Sequence, residues 1–186
     1  MDNKTYNGIV LFGEMGSGKD TFAEILADIE PNCTLYNIGY ICREFMKIAN
    51  VKPEWEKKGR EFGQLVSVKL REIDENILND YTYARTLENN SFPIVTGGRT
   101  KEDFKYWTSR GFLTVGVNVD YDVRLERLRA RDKDFNIGSL NHMTENDVNY
   151  IVCNLCEVVI DNSSDLESLK ENASSFVKKY LNPVEK

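Results

Sequence analysis

Residues 8–29 read GIVLFGEMGSGKDTFAEILADI, and this stretch limits the fold more than any other in the chain. A short apolar run meets a glycine-rich loop. A segment with Phe22, Ile25, Leu26 and Ile29 at helical spacing follows. A strand so uniformly apolar belongs inside a sheet covered on both faces. Gly13, Gly18 and Lys19 fit G-x-x-x-x-G-K-[ST], the phosphate-binding loop, except that Asp20 stands where a hydroxyl usually meets Mg²⁺. In such a loop successive backbone N–H groups and a helix N-terminus converge on an anion, and the lysine adds a mobile positive charge. The other reading is a tight turn with a solvated lysine. Three glycines with Lys19, set between a strand and an amphipathic helix, favour the cradle. The ATP-binding candidates are Gly13, Glu14, Met15, Gly16, Ser17, Gly18, Lys19, Asp20 and Thr21.

The rest of the chain repeats this alternation. Strands are expected at GIVLF, TLYNI, FPIVT, FLTVGVNV and EVVID. Helices are expected over residues 40–49, 63–77, 101–109, 122–131, 144–155 and 166–180. Five strands alternating with helices imply an α/β three-layer sandwich with a central, mostly parallel five-stranded sheet. No stretch rich in Pro, Gly or Ser divides the 186 residues, so a single domain is expected.

Composition excludes several classes. A formal net charge of −6 does not suit a surface for long nucleic acid, whose binding rests on phosphate neutralisation. The polar start MDNKTYN and the short first apolar run offer neither a signal nor a membrane segment, so a cytoplasmic protein is expected. Cys153 and Cys156 form a C-x-x-C that closes a helix rather than opening one, and His142 is the only histidine. Reduced thiols on an apolar face are expected rather than zinc or redox chemistry.

GEMGSGKDTFAEIL resembles the opening of small P-loop nucleotide kinases: adenylate kinases, dephospho-CoA kinases and phage-type deoxynucleoside monophosphate kinases. Adenylate kinases carry Gly-Thr after the lysine, so the resemblance puts Thr21 next in line for the α-phosphate. Several deoxynucleotide kinases carry the Lys-Asp pair found here. NIGYICREF resembles the S-T-G-D-L-L-R segment, with Gly39 and Arg43 in register and Tyr40 replacing the acid. IVTGGRTKEDFKYW resembles a D-G-x-R strand end, with Arg99 matched and Thr96 in place of the acid. RLERLRARD resembles the R-L-x-x-R entrance to a lid. Arg124, Arg127 and Arg131 fall on one helical face there, three guanidiniums that would repel one another without an anion. The tail from Asn141 to Leu169 resembles the H-x-S-E … D-x-V-I-x-N ending of deoxynucleotide kinases and their dephospho-CoA kinase-like relatives. The likeness thins between residues 51 and 92.

The resemblance implies a small lid over about 131–143 and an acceptor-binding helical segment over about 40–92. It also implies ATP and Mg²⁺ as cofactors, with a small-molecule nucleotide as the acceptor. Gly39, Arg43 and Arg99 would hold the acceptor; Lys19, Arg99, Arg127 and Arg131 would stabilise the transferring phosphoryl group, Arg127 also touching ATP. Asp20 is the metal candidate, directly or through water; its alternative is charge stabilisation of the first helical turn. Asp120 and Asp122 read as helix caps. No acid occurs between Pro31 and Arg43, and an acceptor phosphate, unlike a hydroxyl, attacks without a protein base. A (deoxy)nucleoside monophosphate acceptor is therefore expected. A hydroxyl acceptor, on dephospho-CoA or a hydroxymethylated base in DNA, and an ATPase-like switch stay open, as does the oligomeric state, a homodimer included.

Overall fold

A computed structural model describes residues 5–52, 54–55, 58–131 and 147–181. The elements in order are β1 (Gly8–Phe12), α1 (Lys19–Ile29), β2 (Cys33–Asn37), α2 (Tyr40–Ile48), α3 (Gly59–Ile73) and α4 (Ile77–Thr86). After them come β3 (Phe92–Gly98), α5 (Lys101–Ser109), β4 (Phe112–Asn118), α6 (Tyr121–Arg131), α7 (Val148–Asn154), β5 (Val158–Asp161) and α8 (Leu166–Phe176). The strands form one sheet in the order β2-β3-β1-β4-β5, with β1 parallel to β3 and β4, and β4 parallel to β5. This is the expected three-layer α/β fold of P-loop kinases.

The chain packs as two compact units: residues up to Leu35 together with those from Ser91 onward, and Tyr36–Asn90. In the first, alternation along β1 sends Ile9 and Leu11 into a cluster with Phe22, Ala23 and Leu26 of α1 and Leu169, Ala173 and Phe176 of α8. Phe22 meets Phe176 edge-on at 5.8 Å. On the other face the Phe12 and Phe104 rings lie 5.9 Å apart, and fully buried Trp107 of α5 meets Phe112 at 4.7 Å. A Cβ on Gly116 of β4 would reach Val152 of α7 at 2.9 Å, so that helix lies directly on the sheet.

The second unit holds α2, α3 and α4. Phe62 packs against Phe45 at 6.5 Å and Trp55 at 5.9 Å, and Leu78, Asn79, Thr82 and Thr86 form the buried face of α4. The expectation of one helix over 63–77 is corrected here. Helix α3 runs Gly59–Ile73 and stops where Asp74 turns extended (φ −151°, ψ 120°), its carboxylate accepting the Asn76 N–H at 2.9 Å. That turn, typical of an Asp side chain closing on its own backbone, separates α3 from α4. The weak apolar periodicity of α4 hid it. The last helix ends at Phe176 rather than residue 180 and passes into a π-helical turn, Val177–Leu181. The expected helix start at 144 and the expected lid beyond Arg131 lie outside the described residues. Among the described residues no helix is long and apolar enough to cross a membrane.

None of the four cysteines is in a disulfide. Cys42 is buried, at 2% exposure, whereas the apolar packing expected of the C-x-x-C does not hold for Cys153, an exposed thiol that donates to Asn149 Oδ1 at 3.1 Å. Cys156 is half-buried, and burial, then Cys153 and Glu157, push its thiol from about 9 up to about 12. The unfolded chain would lose that proton first, so its contribution to stability falls as pH rises from the ordinary thiol range toward about 12. At pH ~8 iodoacetamide should alkylate Cys153 while Cys156, held as the unreactive thiol, stays unlabelled in the folded protein. Mass mapping of the labelled peptides checks this, and equal labelling of the two contradicts it.

Candidate active site

The loop leaves β1 at the centre of the sheet, on the carboxyl side where ligands sit in open α/β sheets. Two left-handed glycines shape it, Gly16 at φ 85° and Gly18 at φ 86°. The space demands glycine as well. A Cβ on Gly16 would lie 2.8 Å from Leu128 Cγ and 3.2 Å from Arg124 Cγ, and one on Gly18 would collide with the Asn162 side-chain amide. The Ser17 N–H closes a turn onto Glu14 O at 3.1 Å, and the Phe22 N–H continues the helix from Gly18 O at 2.9 Å. Among the described residues the buried Ser17 Oγ has no hydrogen-bond partner, an orphan polar atom in the glycine-rich loop.

Lys19 is only 6% exposed although it is charged. Its ammonium lies 3.6 Å from the solvent-exposed carboxylate of Asp20. Burial depresses its pKa below the ordinary lysine value. Asp20 opposes that shift, and the positive charges of Arg99 and Arg131 reinforce it. The fold thus brings Asp20, Arg99 and Arg131 into electrostatic range of Lys19, and a polyphosphate beside the buried ammonium would favour its charged form.

Arg99 ends up there because β3 stops against a capping box. The carboxylate of fully buried Asp103 accepts the N–H groups of Arg99 (2.9 Å) and Thr100 (3.1 Å), while Thr100 Oγ1 accepts the Asp103 N–H at 3.1 Å. Two satisfied donors at the start of α5 fix the backbone from which Arg99 projects.

The expected row of three repelling guanidiniums on α6 is corrected. Arg124, buried to 7% side-chain exposure, forms an ion pair with Glu14 of the loop, and its guanidinium lies 5.5 Å from the Tyr121 ring. Arg127 donates to the carbonyls of Asn162 (2.9 Å) and Ser164 (2.8 Å), so its guanidinium is engaged with backbone. Exposed Arg131 is the member of the row that Lys19 feels. Glu14 accordingly serves the loop through Arg124, and Met15 is buried. Thr21 is exposed in the first turn of α1, beside Asp20. At Asp120 the contacts are made by the backbone: its N–H donates to Ser163 Oγ at 3.0 Å and its carbonyl accepts the Arg124 N–H at 2.9 Å.

In the second unit, the Gly39 N–H donates to Asn37 Oδ1 at 2.9 Å just ahead of α2. Exposed Arg43 lies 5.9 Å from the Tyr40 ring, and Arg85 of α4 lies 4.8 Å from the same ring. Sequence reasoning missed Arg85 because it missed the helix that carries it. It also missed Asn162, whose only signal was its place as the last residue of VVIDN, in the D-x-V-I-x-N pattern.

Among the described residues no three His, Cys, Asp or Glu side chains gather as a metal site. Mg²⁺ that arrives with a nucleotide keeps several waters and takes one or two protein groups beside the phosphates. Asp20, with Thr21 next to it, is suited to be such a group.

Arg124→Met should cost about 1–3 kcal/mol in a urea melt. That is less than a fully buried pair would cost, because Glu14 keeps 26% side-chain exposure and water screens it. Adding Glu14→Gln should recover part of the loss, since no charge is then left unpaired.

The family described as AAA domain matches residues 9–147. No curated protein sequence matches the chain. Among solved structures, a gluconokinase from Sinorhizobium meliloti aligns with TM-score 0.61 at 17% identity, covering 95% of this chain and 94% of that one. A shikimate kinase from Acinetobacter baumannii, solved with shikimate, aligns with TM-score 0.57 at 16% identity over 98% and 97%. A shikimate kinase from Aquifex aeolicus aligns with TM-score 0.50 at 20% identity over 92% and 96%. At these identities the likeness is one of fold. With a glycine-shaped loop and a buried lysine at the head of α1, the chain belongs to the AAA domain family.

Proposed function

We propose that the chain moves the γ-phosphoryl group of ATP to a (deoxy)nucleoside monophosphate. The observation that carries this is the lack of a base where a hydroxyl acceptor would want one. No acid lies between Pro31 and Arg43, and Thr96 of β3, 5% exposed, fills the position of the third-strand acid. Glu44, the first acid after that gap, is bonded to Lys47 at 2.7 Å. An ionised phosphate acceptor needs alignment and positive charge instead. Lys19, Arg99 and Arg131 supply charge around the transferring group, and Asp20 attends the metal. Each of the two arginines that the resemblance singles out, Arg43 and Arg99, has the chemistry for a bidentate phosphate contact.

A second reading is a small-molecule kinase acting on a hydroxyl, favoured by fold likeness to proteins titled gluconokinase and shikimate kinase. Offering the enzyme ATP with each deoxynucleoside monophosphate, gluconate, shikimate, dephospho-CoA and hydroxymethylated DNA separates the two. ADP release should require a monophosphate. Product from a hydroxyl acceptor and from no monophosphate overturns the proposal, and ADP release without any acceptor points to an ATPase-like switch. Lys19→Ala should remain folded and lose ~100-fold or more of the turnover, the scale of one focused transition-state charge. Near-parent turnover in that variant would remove the kinase assignment of the loop.

A further inference from the structure

We infer that Asn162 is a positioning residue for the nucleotide's phosphates, acting through the orientation of the Ser17–Gly18 peptide. Asn162 lies at the end of β5 and is 5% exposed. Its side-chain amide donates to Ser17 O at 2.8 Å. In a trans peptide the C=O and the following N–H point in opposite directions. Tying the Ser17 carbonyl back onto Asn162 therefore aims the Gly18 N–H the other way. That N–H belongs to the glycine directly ahead of Lys19, where a phosphate loop turns its donors toward the anion.

The tie matters because the glycine does not itself choose the orientation. Gly18 has φ 86° and, lacking a Cβ, accepts positive and negative φ with similar ease. Flipping the preceding peptide would cost its backbone little. It would turn a carbonyl dipole toward an anion in place of a donor. Asn162 is itself fixed at two further points: its N–H donates to Asn118 O at 2.8 Å, and its carbonyl accepts Arg127 Nη1 at 2.9 Å. Helix α6 thus holds the loop at Glu14 through Arg124 and at Ser17 through Arg127 and Asn162. Among the described residues the buried Ser17 Oγ has no hydrogen-bond partner.

The inference rests on the phosphate-loop reading, and inorganic tripolyphosphate is a probe that tells the two apart. Adding it to ¹⁵N-labelled parent protein should shift the Gly18 amide resonance. Asn162→Ala should weaken binding of tripolyphosphate and ATP by ~10–100-fold, the scale of a lost hydrogen bond to a charged group. Asn162→Asp should be at least as weak, because an ionised carboxylate cannot donate to the Ser17 carbonyl. The acceptor's KM should stay near that of the parent while ATP's KM rises, a split that simple destabilisation would not produce. Asn162→Ala and Asn162→Asp proteins that melt lower yet bind tripolyphosphate as the parent does overturn the inference and leave the cradle standing. A parent protein that binds no tripolyphosphate overturns both. Should the variants not fold, the Gly18 amide of the parent still decides: a resonance unmoved by bound tripolyphosphate sinks the proposal.

Discussion

Strand β1 is paired on both edges, by β3 and β4, and buried along its whole length. The loop that follows therefore starts from a fixed point and a fixed direction. It must turn through two left-handed glycines and enter α1, whose inner face is already committed to Phe22, Ala23 and Leu26 in the core. Both ends of the loop are anchored by packing of several kcal/mol per buried aromatic or aliphatic side chain. The middle of the loop is held by two side chains from far along the chain. Arg124 and Asn162 are the tethers.

Charge placement follows from that geometry. A lysine at 6% exposure would be costly if it were merely structural, and Asp20 alone offsets the cost only in part. Arg99 and Arg131 raise the cost further. Positive charges held within range of a buried ammonium suit a site that an anionic ligand enters and whose backbone is rigid. Asp103, fully buried and accepting two N–H groups, supplies that rigidity below Arg99.

The sequence carried the fold because its signals were local and strong. The five apolar runs became the five strands, and the glycine spacing of the loop survived as left-handed backbone at Gly16 and Gly18. The site was less legible wherever a side chain's role depends on a partner far away in the chain. Glu14 and Arg124 are separated by more than a hundred positions, so a row of arginines looked like an anion site when one member was already neutralised. Asn162 reaches Ser17 across 145 positions, and no local pattern reports that bond. Helix α4 failed for a different reason: its buried face includes Asn79, Thr82 and Thr86, polar residues that hide an amphipathic stripe.

Lys19 also links nucleotide binding to protons. Its pKa in the folded protein is held below the ordinary lysine value, chiefly by burial. A polyphosphate beside it favours the charged form and raises that pKa again. Between the two values the ligand-bound protein holds more protons than the empty one, so binding there draws a proton from solvent. Affinity for nucleotide consequently declines with rising pH across that window, and the enthalpy of binding varies with the ionisation heat of the buffer. The burial that focuses the lysine's charge also makes it a proton-coupled receptor.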